Sequence, residues 1–170
     1  MREKWSAVRC LLVACLEPPA EVIAAAPAVR MLRQALPEAA MRFWVRSPAC
    51  ADAAALIGMR DCLVAPLDWA RPANLEAVAA TLRRQCFDAA FFFTSRQSSP
   101  FPAAYLCYLA GVPIRVGQAN LFGGRVLSDT FPRPKDNDIV ADYLALVEAA
   151  GLTTASAESA NSPVGADRAR

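Results

Sequence analysis

The sequence predicts an α/β domain built on a mostly parallel sheet of about five or more strands. Three observations carry this expectation. Short apolar runs alternate with longer segments of helical periodicity, the run Ala89 to Phe93 is apolar at every position, and proline or glycine stands at most of the joins. A chain of 170 residues, 55% hydrophobic and 20% charged, buries one core and is too short for two full domains of this class. One domain is therefore expected over residues 1–152. The remainder, 153–170, is rich in Ala, Ser and Thr, and is expected to be a disordered tail.

The elements follow in order. Val8 to Leu16 is a short apolar run ending at Glu17-Pro18-Pro19, which reads as a buried strand entering a loop. From Ala20 to Leu36 the apolar residues Val22, Ile23, Ala26, Val29, Leu32 and Leu36 recur at helical spacing. Pro37 lies just beyond, and Pro27 is expected to kink this helix because it removes a backbone donor. Met41 to Arg46 reads as a strand, Pro48 to Ile57 as a helix, and Asp61 to Ala65 as a third strand. Pro72 to Gln85 is amphipathic, with Arg83 and Arg84 near its end where cations suit the helix dipole.

Ala89 to Phe93 then forms a strand covered on both faces. It is followed by a helix closed by Gly111 and a fifth strand at Pro113 to Val116. Gln118 to Pro134, with Phe122-Gly123-Gly124 and two further prolines, reads as a loop, and Asp138 to Ala150 as a last helix with Gly151 just past its end. Alternating strands and helices with right-handed crossovers make this a Rossmann-like domain.

Composition removes several functions. The net charge of +2 and the lack of a dense Lys/Arg run argue against nucleic acid as a partner. The chain has no histidine, which eliminates Ser-His and Cys-His nucleophile pairs and imidazole acid/base catalysis. Cys10, Cys15, Cys50, Cys62, Cys86 and Cys107 form no Cys-x-x-Cys pair and read as small buried hydrophobes of a reducing compartment. No metal or other cofactor is expected. Leu12-Val13-Ala14-Cys15 resembles a lipoprotein cleavage box, but Arg9 cuts the apolar run before it below the ~7–15 residues of a signal core. No stretch approaches the ~20 apolar residues of a spanning helix, so the expected location is cytoplasmic, with at most peripheral membrane contact.

In an open parallel sheet, ligands bind at the carboxyl ends of the strands where the strand order reverses. Two loops qualify. Glu17-Pro18-Pro19-Ala20-Glu21 lacks the glycines that let a pyrophosphate approach a helix start, so NAD or FAD is disfavoured. Glu21 has two readings, a carboxylate stabilising the helix dipole by about 0.3–1 kcal/mol, or a general base on a sugar hydroxyl. The second loop, Thr94-Ser95-Arg96-Gln97-Ser98-Ser99-Pro100, offers hydroxyl, amide and guanidinium groups that suit either a helix cap or a hydroxyl-rich or phosphorylated ligand.

The stretch FDAAFFFTSRQSSPFPAAYLCYLAGVPIRVGQ resembles the region after the fourth strand in the family 9 glycosyltransferases, the heptosyltransferase-like enzymes of lipopolysaccharide assembly. There, an F-T-S-x-x-Q-S-P-like loop leads to a helix ending L-A-G-[IV]-P-x-R-x-G. Ala20 to Arg30 resembles the family's G-D-V-[LV]-x-[TA]-x-P-[AV]-[LI]-[RK] segment, which accounts for Pro27. Leu36-Pro37-Glu38-Ala39 resembles its F-P-x-A, and Asp138 to Leu144 its H-x-V-D-R-x-L helix. The resemblance spans about residues 8 to 152.

The resemblance implies the N-terminal, acceptor-holding half of a two-domain GT-B arrangement. The base carried over is Glu21, and the substrate-binding residues are Thr94, Ser95, Arg96, Gln97 and Ser98. It implies a sugar or glycolipid acceptor, with the nucleotide-sugar half supplied by a separate domain or the chain paired as a homodimer. Such a truncated or split half would be inactive alone; the alternative is a non-catalytic binding or scaffold protein. The departures are specific. Ala20 replaces the glycine of the Gly-Asp pair and Glu21 is one methylene longer than the acid. Asp138 replaces the histidine, and Ala141-Asp142 replaces an Asp-Arg pair.

Overall fold

The computed structural model describes residues 3–68, 70–119, 125–135 and 138–153. Their order is α1 (Glu3–Ser6), β1 (Cys10–Ala14), α2 (Pro19–Ala24), α3 (Ala26–Ala35), β2 (Ala40–Val45), α4 (Pro48–Leu56) and β3 (Cys62–Val64). After these come α5 (Pro72–Gln85), β4 (Ala89–Phe92), α6 (Phe101–Leu109), β5 (Ile114–Gln118), β6 (Asp129–Phe131) and α7 (Ile139–Ala149). The six strands form one sheet in the order β3-β2-β1-β4-β5-β6, and every pairing is parallel. The Rossmann-like α/β expectation is met.

Strand alternation sorts the core into two layers. Leu11, Val13, Phe43, Val45, Ala89 and Phe91 point to the face covered by α2, α3, α4 and α7. Leu12, Ala14, Trp44, Ala90 and Phe92 point to the face covered by α5 and α6. Burial on both faces is why β1 and β4 carry no polar residue. The buried indole N–H groups find acceptors: Trp5 Nε1 donates to the Ala150 carbonyl at 2.9 Å and Trp44 Nε1 to the Ala65 carbonyl at 2.9 Å.

Three expectations are corrected. The segment Ala20 to Leu36 is two helices rather than one kinked helix. The chain turns at Ala25, and Pro27 falls in the first turn of α3, where its missing N–H leaves no helical bond unmade. Second, the stretch Gln118 to Pro134 is not all loop, because Asp129–Phe131 pairs with β5 as an edge strand. Three residues are too short for periodicity to reveal. Third, only Cys15, Cys50 and Cys107 are buried; Cys10 and Cys62 are half-buried and Cys86 is exposed. Cys86 ends α5 in a left-handed conformation, at φ 51°. The helix closures at Gly111 and Gly151 stand as expected, at φ 85° and 82°. The expected tail from Thr154 onward lies outside the described residues.

The order reverses between β1 and β4, so their carboxyl ends open onto one crevice. Phe91, fully buried on β4, stacks on Trp5 at 5.5 Å and meets Phe93 at 6.4 Å, fixing this central strand. Phe91→Ala is expected to cost about 3–5 kcal/mol. Urea unfolding followed by circular dichroism measures the loss, and a change below about 1 kcal/mol would contradict the packing described.

Candidate functional site

The crevice is organised by Glu17, which follows β1 and is buried. Its Oε1 accepts the Ser95 backbone N–H at 3.1 Å and its Oε2 accepts the Ser98 hydroxyl at 3.1 Å. One carboxylate thus ties the loop after β1 to the loop after β4. Ser95 Oγ and Ser98 Oγ lie 3.2 Å apart. The Glu17 carbonyl also accepts the Cys50 thiol at 3.3 Å, so α4 is held to the same point.

On either side of this tie lies a cleft. One, of about 440 Å³, is lined by Glu17, Arg46, Thr94, Ser98 and Ser99 over an apolar floor that includes Leu16, Leu67 and Phe92. The other, of about 390 Å³, is lined by Glu21, Ser95, Arg96, Gln97, Asp138, Ile139 and Asp142. The sequence-predicted residues are therefore divided. Glu21, Ser95, Arg96 and Gln97 meet in the second cleft, whereas Thr94 and Ser98 line the first.

Glu21 is electrostatically distinct. Burial raises its carboxyl above the ordinary 4.5, a hydrogen bond that only its protonated form can donate to Glu17 raises it further, and the Glu17 charge adds to both; Arg46 opposes them. Glu21 Oε2 is buried with no hydrogen-bond partner among the described residues. Near the acids lies Tyr143, whose ring stacks on Phe93 at 4.8 Å and whose hydroxyl is buried beside the Cys15 thiol. Burial raises its phenol, and the nearby Cys15, Glu17 and Glu21 reinforce the shift. The Cys15 thiol is pushed up to about 12, chiefly by burial, so it is not a nucleophile.

The loop after β4 is also clamped from α7. Arg96 pairs with Asp142 at 2.9 Å and donates to the Pro134 carbonyl at 2.7 Å. Arg133 lies 3.6 Å from the other Asp142 oxygen and donates to the Thr94 carbonyl at 2.8 Å and the Thr94 hydroxyl at 2.6 Å. The Gln118 amide donates to the Asp142 carbonyl at 2.8 Å. Asp142 is buried, and its two arginine partners compensate the cost of holding a carboxylate out of water. Thr94, Ser95, Arg96 and Ser98 therefore all make internal bonds, while Gln97 is exposed and faces the second cleft.

Glu17, Arg46, Arg133 and Asp142 were not among the predicted site residues. An acid placed directly after a buried strand was the available signal for Glu17. Arg133 lay in a stretch read as loop, and Asp142 stood out only as a departure in sign from the family pattern.

Comparison with solved structures gives the same architecture. The chain superimposes on a family 9 glycosyltransferase of Veillonella parvula with a TM-score of 0.68 at 16% identity, over 85% of this chain and 42% of that one. The fold is similar to half of a family 9 glycosyltransferase. The Escherichia coli heptosyltransferase WaaC solved with ADP gives 0.63 at 15% identity, over 86% of this chain and 48% of WaaC. Its complex with ADP-2-deoxy-2-fluoro heptose gives 0.66 at 13% identity and covers 50% of WaaC. The chain thus spans about half, or less, of the structures it resembles. No protein-family model and no curated protein matches the sequence. No helix among the described residues is long and apolar enough to cross a membrane.

The raised Glu21 carboxyl has a consequence for stability. A group whose folded pKa exceeds its unfolded value favours the folded chain fully below the unfolded value, 4.5, and loses that contribution as pH rises through the folded value. Glu21→Gln is therefore expected to gain stability relative to the wild type as pH rises from below 4.5 to neutral. Urea melts across pH check this, and parallel profiles for the two proteins would contradict it.

Proposed function

We propose that residues 1–152 form the acceptor-side half of an inverting, heptosyltransferase-like enzyme. A second, nucleotide-sugar-binding half would come from a separate domain or chain. The observation that carries this reading is the meeting of Glu21 with Ser95, Arg96 and Gln97 in one cleft at the sheet's reversal point, in a fold similar to half of a family 9 glycosyltransferase. The acceptor is a hydroxyl-rich sugar or glycolipid. Thr94 and Ser98 contribute from the adjoining cleft, and no cofactor takes part.

In this mechanism Glu21 takes the proton from an acceptor hydroxyl as its oxygen attacks the anomeric carbon. The bond to the nucleotide breaks on the opposite side, and the nucleoside diphosphate leaves with the electron pair. A carboxylate whose pKa is raised by burial is a stronger base once ionised. Ala20 and the extra methylene of Glu21 shift that base relative to the Gly-Asp pattern, and a displacement of about 1 Å costs on the order of 100-fold in rate. The chain then works on the cytoplasmic face of a membrane with at most peripheral contact.

A specific observation favours the second reading, a non-catalytic binding or scaffold protein. The hydrogen-bonding capacity of Ser95, Arg96 and Ser98 is largely engaged within the chain, as an inert, self-satisfied loop would have it.

A transfer assay with a nucleotide-heptose or nucleotide-hexose and a lipid A-core acceptor separates the two. The chain alone is expected to bind the acceptor without turnover. Adding a donor-binding half is expected to start transfer, which Glu21→Gln lowers by about 100-fold or more. Robust turnover by the chain alone overturns the need for a second half. A complete absence of acceptor binding favours the scaffold.

A further inference from the structure

Away from the crevice, α6 poses a problem that the proposed chemistry does not use. Its sequence, FPAAYLCYL, contains no charged residue. Ala103, Ala104, Leu106 and Cys107 are buried against the sheet, yet the opposite face leaves Tyr105 42% exposed, Tyr108 51% and Leu109 44%. These three positions recur at the spacing of one helical face, so the exposure is a continuous ridge. A helix apolar on every side is ordinarily covered on every side.

The surroundings of the ridge are cationic. On one flank Arg83 of α5 donates to the Leu109 carbonyl at 2.9 Å, and Arg84 follows it on the exposed end of α5. On the other flank the Arg115 guanidinium lies 5.2 Å from the Tyr108 ring centre but is buried and donates to the Val112, Pro113, Val126 and Arg125 carbonyls, so the exposed cation there is Arg125. Two acids at the starts of the neighbouring strands β4 and β6 are already engaged. Asp88 accepts the backbone N–H groups of Arg9 and Cys10 at 2.8 Å each, and Asp129 pairs with Lys4 at 2.6 Å. Glu76 lies about two turns back toward the start of α5.

From this arrangement we infer that the α6 ridge docks on an anionic lipid surface. Tyrosine rings sit well at headgroup depth, with an apolar body and a polar tip, and leucine enters the acyl boundary between them. The exposed cations, Arg83 and Arg84 on one flank and Arg125 on the other, meet the lipid phosphates, each strengthening the partition about fivefold. A second copy of this chain fits the ridge poorly. A two-fold pairing through α6 brings the arginine flanks of the two copies together, with no free acid on the helix to oppose them. Docking through one helix face makes the association peripheral and reversible. The inference is independent of whether the crevice transfers sugar, since it needs no donor or acceptor.

Co-sedimentation of the full chain with vesicles tests it. The wild type is expected to pellet with equimolar phosphatidylglycerol and phosphatidylcholine, and to stay in solution with phosphatidylcholine alone. Tyr108→Ser combined with Leu109→Ser, and separately Arg84→Glu combined with Arg125→Glu, are each expected to weaken binding about tenfold or more. Leu56→Ser, which removes an 80% exposed leucine from α4, serves as the control and is expected to bind as the wild type does. Circular dichroism confirms that each variant is folded, and a variant that fails to fold is replaced by the single Leu109→Ser. Equal binding to both vesicle types, no binding to either, or variants that bind like the wild type would overturn the inference. So would a concentration-dependent dimer in light scattering that the Tyr108/Leu109 variant abolishes, which would assign the ridge to a second copy.

Discussion

The arrangement of the crevice depends on one buried carboxylate. Glu17 leaves β1 at the point where the sheet reverses, and its two oxygens reach a backbone N–H and a hydroxyl of the loop after β4. That bridge joins the two loops above the sheet that connects them. With it, the positions of Ser95 and Ser98 are set relative to Glu21 on α2, four residues beyond Glu17. Burial makes ionisation of Glu21 costly, and the same Glu17 carboxylate adds to that cost by placing a negative charge beside it. Position and part of the electrostatics therefore have a common source.

A second charge arrangement completes the loop from the other side. Asp142, carried on α7, gathers Arg96 from the loop after β4 and Arg133 from the segment after β6. The resemblance pattern has arginine where this chain has Asp142, so the sign at this position is reversed, and the partners present here are cations. The polar loop is thus held by acids at both ends, Glu17 beneath Ser95 and Ser98 and Asp142 beside Arg96. These bonds hold the loop at both ends, and Gln97 is an exposed residue of it that lines the second cleft. A ligand would meet a preformed surface rather than order a flexible one.

Much of the fold was legible because it rests on local periodicity. Ala89 to Phe93 announced a strand buried on both faces, and Gly111 and Gly151 announced helix ends that need a left-handed residue. What failed was short or ambiguous. β6 has three residues with no apolar alternation, and Pro27 reads as an interruption unless a new helix begins one residue before it. The site was only partly legible. Glu21 and the loop from Thr94 to Ser98 were placed at the correct edge by topology, but which of their groups face a ligand depends on long-range partners. Glu17 lies 78 residues from Ser95 along the chain, and Arg96 lies 46 from Asp142. No local pattern encodes such pairs.

Glu17 ties the two loops and, added to burial, raises the Glu21 carboxyl. Carbon-13 NMR of the Glu21 side chain, titrated in the wild type and in Glu17→Gln, tests it most directly. The wild-type midpoint is expected above 4.5 and is expected to move down toward 4.5 when the Glu17 charge is removed, with burial retaining part of the shift. A wild-type midpoint at 4.5, or one that Glu17→Gln leaves unchanged, would contradict it.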